Sequence, residues 1–463
     1  MPSHSPLYFM NARPSVDHPE NTEVQLLCAR YVVPVVPAEC ILKNHCVVIR
    51  GDVILDLLPE IDASRQYPGA LRVDLSRHVL MPGLINMHTH SPMTLLRGIA
   101  DDIELQEWLK SYIWPVEQTF VSESFVRDGT RLAIAEMLRC GTTCFNENYF
   151  FPETIAETAA EAGIRACIGI PVIDVATNWA GSADECIEKG MFIIEHVEKN
   201  LTTFSLSPHA PYTVDDAALK RIAVVSEALD LPVHMHVLES AWEIQHSLQV
   251  HGCRPLQRLE RLGLMTPRLL AVHMTQCSRS DFGLLKASGA NVVHCPQSNL
   301  KLANGICPVS DLIAESVNVV IGTDGAASNN NLDILSEAQT AALLAKGATG
   351  DALVLAAPRV LEMLTIKAAE ALGIQHLTGS VEKGKQADLT ALDLHYPESQ
   401  PVYNVISQLI YAASSRQFTD TWVAGRRLLD EGRLTSLDID SVMQSTAQWQ
   451  DKISNRITPQ MPV

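Results

Sequence analysis

The hydrophobic pattern changes texture twice along the 463 residues. From residue 24 to 80, the segments VQLLCARYVVPV, CVVIRGDVILDLL and LRVDLSRHVL are β-branched runs broken by Gly, Pro and Asp, which predicts short strands. The same texture returns from 380 to 463, in VEKGKQADLTALDL, VYNVISQLIYA and FTDTWVAGRRLLDEG, ahead of a C-terminal tail. Residues 1–23 are polar and contain Pro, so a flexible tail is expected. Both ends of the chain are therefore expected to build one small β-sandwich domain.

Between 81 and 379 the rhythm alternates. Eight short apolar runs close in polar turns: VLMPGLIN, TTCFNE, ACIGIPV, FSLSPH, PVHMHV, LLAVHM, NVVHCP and VNVVIGT. Helical stretches such as RDGTRLAIAEMLRCG, PETIAETAAEAG and VDDAALKRIAVVSEALD separate most of them. Near-continuously apolar strands alternating with helices are the pattern of a parallel sheet covered by helices. Eight units over about 300 residues predict a closed α/β barrel, the (β/α)8 TIM type. An open doubly wound sheet would carry a glycine-rich phosphate turn, and no GxGxxG occurs.

A barrel places its chemistry at the C-terminal ends of its strands. Here the first run ends in Asn86-Met87-His88-Thr89-His90 and the fourth in Ser207-Pro208-His209. The fifth ends in His234-Met235-His236-Val237-Leu238-Glu239, the sixth in His273, the seventh in His294-Cys295 and the eighth in Thr323-Asp324. His88 and His90 stand two apart on a strand, so both imidazoles point to one side and can grip one ion. His234 and His236 repeat that spacing. The residue nearer the strand end is the better ligand, so His236 goes to the metal and His234 to the layer beneath it. Asp324 completes a set of three imidazoles and a carboxylate, an open catalytic site rather than a closed structural one. A second metal would call for a bridging lysine at the end of the fourth strand, and TFSLSPHAPYT has none. One ion is expected. Glu239 is placed to shuttle protons, His273 to hydrogen-bond the attacking water, and Asp324 to accept that water's proton.

Charge and cysteine content narrow the setting. Lys and Arg number 35 against 53 Asp and Glu, a formal net charge of −18, which disfavours nucleic acid and anionic membranes. No apolar run reaches the roughly 18 residues that a spanning helix needs, and the first residues lack a secretory pattern. Eleven irregularly spaced cysteines without a CxxC pair are expected to be reduced thiols in a cytoplasmic protein.

Together PGLINMHTH, SPHAPYT, HVLES, AVH, HCPQSNLKL and IGTDGAASNNNLD resemble the amidohydrolase superfamily, over about residues 25–435. Within it, MHTHSPMTLLRGIADD followed by LQEWLKSYIWPVE resembles the 5-methylthioadenosine/S-adenosylhomocysteine deaminase group. That resemblance implies one zinc ion on His88, His90, His236 and Asp324, with Glu239 and His273 beside it. It also implies that Glu117 holds the ribose hydroxyls and that His209 contacts the nucleoside, whereas the residue pattern alone puts Glu117 on a helix surface. The activity implied is hydrolytic deamination of the adenine ring of 5′-methylthioadenosine, with S-adenosylhomocysteine and adenosine as further substrates. Members that take a homocysteine tail are expected to hold its carboxylate with arginines after the third strand. Here that loop reads IPVIDVATNWAGSADECIEKG, without arginine, which favours the uncharged methylthio tail. Trp114 and Trp179 are candidates to wall the pocket.

The same metal groups would also serve a deaminase or aminohydrolase of guanine or an s-triazine, which have no ribose for Glu117 to hold. A barrel scaffold without catalysis would have lost these ligands, and all are present. Imidazole and carboxylate ligands suit iron or manganese as well as zinc. A homo-oligomer is the base-rate expectation.

Overall fold

The computed structural model describes residues 23–457. The tail expected over 1–23 lies outside the described residues, apart from Glu23. Four strands open the chain: β1 (Val24–Val32), β2 (Leu42–Arg50), β3 (Val53–Pro59) and β4 (Leu71–Pro82). All eight apolar runs of the middle segment are strands: β5 (Leu84–Thr89), β6 (Thr142–Asn148), β7 (Arg165–Val172), β8 (Thr202–Pro208), β9 (Val233–Val237), β10 (Leu269–His273), β11 (Asn291–His294) and β12 (Val319–Ile321). They pair in sequence order and in parallel, with helices between them, as a TIM-type barrel requires. At the seam between last and first strands, Asp324 N donates to His88 O at 2.9 Å and Thr323 N to the Asn86 side chain at 3.0 Å.

Alternation along the strands sorts the core into two layers. Cys144 and Cys167 from β6 and β7 fall in one cluster with Leu270, Val272, Val293 and Val320 from β10–β12 across the barrel, so they fill its interior. Ala368, Ala369 and Leu372 close that plug at the N-terminal end, where Ile85 N bonds Leu364 O at 2.9 Å. Met235, Ala271, Val292 and Ile321 point the other way, into the apolar layer under the helices. His234 and His236 are out of phase with Met235 and so face inward, above the plug.

Four strands end the chain: β13 (Leu389–Asp393), β14 (Phe418–Val423), β15 (Arg426–Asp430) and β16 (Arg433–Leu434). With β1–β4 they make one eight-stranded sheet, joined where β13 runs antiparallel to β4 and Thr390 faces Met81. Trp422, wholly buried, packs there against Leu27, Ile49, Leu80 and Leu389. A buried bidentate pair, Arg165 with Asp388 at 2.7 and 3.1 Å, fastens this sheet to the barrel.

Three expectations are corrected. VYNVISQLIYA, read as strand, contains the helix Val405–Tyr411; Asn404 caps it, and Val405, Ile406, Leu409 and Ile410 repeat at helical spacing. The segment after β16 is more than a tail: the helix Ile439–Ile457 docks on Glu123–Arg139, with Trp449 edge-on to Phe125 and its indole N–H on Asp128 at 2.8 Å. Cys28 and Cys46, expected as thiols, form a disulfide because the β1–β2 register sets them directly opposite each other. The other nine cysteines are free. No helix among the described residues is long and apolar enough to cross a membrane.

Candidate active site

Four of the strand ends bring His88, His90, His236, His273 and Asp324 into one buried cluster. The ligand atoms of His88, His90 and His236, and those of His88, His273 and Asp324, fall in groups within 4.8 Å. Asp324 Oδ1 lies 3.2 Å from His88 Nε2 and 3.3 Å from His90 Nε2, while His236 Nε2 lies 3.3 Å from His90 Nε2. Gly322, just before Asp324, permits this closeness, since a Cβ there would come within 2.6 Å of the His88 backbone nitrogen.

Each of the three imidazoles is held by its other nitrogen. His88 Nδ1 bonds His234 Nε2 at 2.9 Å, His90 Nδ1 the Asn148 carbonyl at 2.5 Å, and His236 Nδ1 the His209 carbonyl at 2.6 Å. Bonds at Nδ1 fix the tautomer and leave Nε2 as the ligand atom, the usual support of metal-binding histidines. His234 thus sits in the layer beneath the cluster, as the spacing predicted. His88 Nε2 is buried and makes no well-aligned hydrogen bond among the described residues, with Asp324 Oδ1 facing it at 3.2 Å. Burial opposes the charge on His90, but Asp324 outweighs it and raises His90 to about 9, while burial takes His88 down to about 4. An orphaned inward nitrogen and a carboxylate that draws positive charge fit a divalent cation such as zinc.

Asp324 is anchored on its far side. Its Oδ2 accepts from Ser298 Oγ at 2.6 Å and Ser328 Oγ at 2.8 Å, and Oδ1 from Gly325 N at 2.8 Å. Burial opposes ionisation, yet the His88 and His90 rings hold it well below the usual carboxylate range. Asp324 (φ 65°) and His273 (φ 75°) both adopt left-handed backbone, a conformation that costs about 1–3 kcal/mol and persists only where the surroundings enforce it.

Glu239 and His273 stand beside the cluster, His273 Nε2 at 3.8 Å from Glu239 Oε1. His273 Nδ1 bonds Asn299 Oδ1 at 2.9 Å and its ring stacks on His236. Asn304 Nδ2 donates to Glu239 Oε1 at 3.0 Å. Burial raises the Glu239 carboxyl above its ordinary value, which suits a group that must carry a proton near neutral pH.

The cluster forms the floor of a cavity of about 330 Å³. Glu117, Trp114 and His209 all line it, together with Leu105, Trp108, Ile113 and Val175; among the described residues no lysine or arginine does. Glu117, read from the residue pattern as helix surface, instead turns into the cavity and accepts from Tyr149 OH at 2.6 Å. Burial raises it to about 7, against the pull of that hydrogen bond. His209 bonds Thr213 Oγ1 through Nδ1 at 3.0 Å, and burial takes it down to about 4. Trp179 does not line the cavity: its indole bonds Glu153 at 3.2 Å and anchors its loop from behind. His294 is likewise outside the lining, in the buried interior, where burial takes it down to about 3.

Several contributors escaped sequence reasoning. Glu147, in β6, accepts from Ser91 N at 2.9 Å and Thr89 Oγ1 at 2.9 Å, so it brackets His90. Glu243 accepts from Leu238 N and Glu239 N, both at 2.9 Å, and holds the turn that aims Glu239. Glu337 ties the loops after β11 and β12 through Gln297 N and Asn329 Nδ2. Glu147 was open to the strand-end rule; Glu243 shows only as a second carboxylate four residues after Glu239.

Residues 79–428 match the amidohydrolase family. A 5-methylthioadenosine/S-adenosylhomocysteine deaminase of Teredinibacter turnerae is 47% identical over 428 residues, 92% of this chain and 97% of that protein. A 5′-deoxyadenosine deaminase of Methanopyrus kandleri is 37% identical over 82% of this chain and 88% of that protein. The crystal structure of an adenosine deaminase from Xanthomonas campestris with bound zinc superposes with a TM-score of 0.92 at 47% identity, over 93% of this chain and 98% of that one.

Proposed function

Because the chain belongs to the amidohydrolase family, we propose that it is a zinc-dependent hydrolase that converts 5′-methylthioadenosine to its inosine analogue and ammonia. S-adenosylhomocysteine and adenosine are further substrates of the same chemistry. The observation that carries this reading is the single cavity in which the histidine–aspartate cluster, the buried Glu239 and the inward-turned Glu117 meet without any lysine or arginine.

His88, His90, His236 and Asp324 would hold one zinc ion. When bound, zinc supplies Lewis-acid charge that brings water's pKa down toward about 7. Asp324 takes the proton of the water that attacks C6, and His273 hydrogen-bonds that water. Glu239, whose carboxyl burial raises above its ordinary value, donates to N1 and so removes the ring's aromatic resistance to addition. Asp324 then passes its proton to the departing amine, the C6–N bond breaks as the C6 hydroxyl becomes a carbonyl and returns its proton to Glu239, and ammonia leaves. Glu117 receives the ribose hydroxyls and His209 the nucleoside base.

The absence of a cation around the cavity supports the uncharged methylthio tail over one ending in a carboxylate, because a carboxylate would lose water without gaining a partner. The name of the Methanopyrus relative, a 5′-deoxyadenosine deaminase, agrees with an apolar 5′ end. A cytoplasmic homo-oligomer that handles no nucleic acid completes the reading. The test is loss of adenine absorbance on zinc-loaded enzyme with 5′-methylthioadenosine, S-adenosylhomocysteine, adenosine, guanine and an s-triazine. A lead for 5′-methylthioadenosine is expected; activity confined to guanine or the triazine overturns the assignment.

A further inference from the structure

Glu117 sits on the short helix Trp114–Phe120, which belongs to the excursion after β5 and not to the barrel itself. A carboxylate on such an element discriminates only if it is held in place, and two side chains from other parts of the fold hold it. Tyr149, the residue after β6, donates its phenol O–H to Glu117 Oε1 at 2.6 Å. Asn178, from the loop after β7, reaches the helix's last carbonyls with its side-chain amide: Val121 O at 2.9 Å, Gln118 O at 3.1 Å and Glu117 O at 3.4 Å. Glu117 O already accepts from Val121 N at 3.0 Å, but the last carbonyls of a helix lack a partner within it, so an outside donor at Gln118 O and Val121 O fixes where the helix ends and how it sits.

Asn178 is exposed, but the backbone on either side of it is fixed. Thr177 Oγ1 accepts from Trp179 N at 3.2 Å and from Ala180 N at 3.1 Å, and Lys189 Nζ donates to Trp179 O at 2.6 Å. This is the loop that carries no arginine.

We propose that Tyr149 and Asn178 are positioning residues that fix Glu117 from two sides, and that this two-point hold sets the enzyme's preference for an intact ribose. The proposal rests on the reading that Glu117 receives the ribose hydroxyls. With Tyr149 donating to Oε1, the carboxylate keeps Oε2 and the remaining lone pairs of Oε1 for two hydroxyl donors of a cis-diol. The preceding residue, Asn148, orients His90 through its carbonyl. Two consecutive residues at the end of one strand thereby set the spacing between the reacting end of the nucleoside and its sugar.

The experiment compares kcat/KM for 5′-methylthioadenosine and its 2′-deoxy counterpart on the zinc holoenzyme, and reads their ratio. Tyr149→Phe is expected to cut the ratio about tenfold, the worth of one hydrogen bond to a charged group. Asn178→Ala is expected to cut it about threefold, since it moves the helix and not the carboxylate directly. In a Glu117→Ala background neither change should lower the ratio further. A merely structural role would slow both substrates together and leave the ratio where it was. If Glu117→Ala collapses the ratio while Tyr149→Phe and Asn178→Ala do not, the proposal is overturned and the ribose reading stands. If Glu117→Ala also leaves the ratio unmoved, the ribose reading fails and the proposal falls with it.

Discussion

The two ends of the cavity are built on different plans. At the floor, every reacting side chain projects from a barrel strand or the turn that ends it, and nearly every one is fixed through a second atom: His88 by His234, His90 by Asn148, His236 by His209, Asp324 by Ser298 and Ser328. At the mouth, Leu105, Trp108, Ile113, Trp114 and Val175 offer apolar surface from helical turns and a loop outside the sheet. Hydrogen-bonded strand ends give the tight geometry that bond-making needs. Apolar loop surface gives shape and a choice of tail, and it can change without touching the chemistry. Reaction type and substrate preference are therefore separable here, and substitutions at the two ends should differ in kind as well as size.

The floor should break hardest. On the proposed ligand set, Asp324→Ala removes the anionic ligand and leaves the imidazoles without their counter-charge, so zinc content, measured by atomic emission, and turnover should both be lost, with no recovery on adding zinc. Full zinc retention with activity would mean that the ion sits elsewhere. Next comes Glu239→Gln, which keeps shape and burial but cannot deliver a proton; kcat should fall about a thousandfold with zinc content intact. One step further out, Glu243→Gln loses one of two acceptors behind Leu238 and Glu239, and kcat should fall on the order of 10- to 100-fold as Glu239 drifts from its aim. A fall in KM alone, with kcat preserved, would contradict that support role.

Glu117 joins the two ends, and pH reports on it. Burial raises its carboxyl to about 7 in the folded protein. If Glu117 receives the ribose hydroxyls as proposed, its ionised form accepts both, whereas the protonated form loses an acceptor, so kcat/KM for the ribonucleoside should fall as pH drops through about 7. Glu117→Gln should remove that acid limb while lowering the plateau. A limb that survives in the variant belongs to another group.

What could be read from the chain follows the same division. Barrel strands are buried on both faces, so they stand out as continuous apolar runs, and their ends mark where ionisable residues matter; that is why His88, His90, His236, Glu239, His273 and Asp324 were legible. Glu117 was named only through the family resemblance, because in the residue pattern a lone carboxylate in WPVEQ looks solvated until Tyr149 is brought to it by the fold. Trp114 and Trp179 look alike in sequence, yet only Trp114 reaches the cavity; Trp179's indole is spent on Glu153. The Cys28–Cys46 pairing needs the β1–β2 register, which spacing does not contain. VYNVISQLIYA was ambiguous because β-branched composition and helical spacing point opposite ways, and the Asn404 cap decided for helix.

The smallest effect should come from the mouth, and it is the one that tests separability directly. Val175 is exposed, lines the cavity and sits in the loop that lacks an arginine. Val175→Arg adds a guanidinium where a homocysteine carboxylate would emerge, and a charge-assisted contact there should raise the S-adenosylhomocysteine to 5′-methylthioadenosine ratio of kcat/KM about tenfold. Because nothing at the floor is touched, kcat for 5′-methylthioadenosine should hold and the gain should appear in KM for the charged substrate. A change in kcat for both substrates would mean that the loop is mechanically coupled to the cluster, through Asn178 and the helix that carries Glu117, and that the two ends are not independent after all.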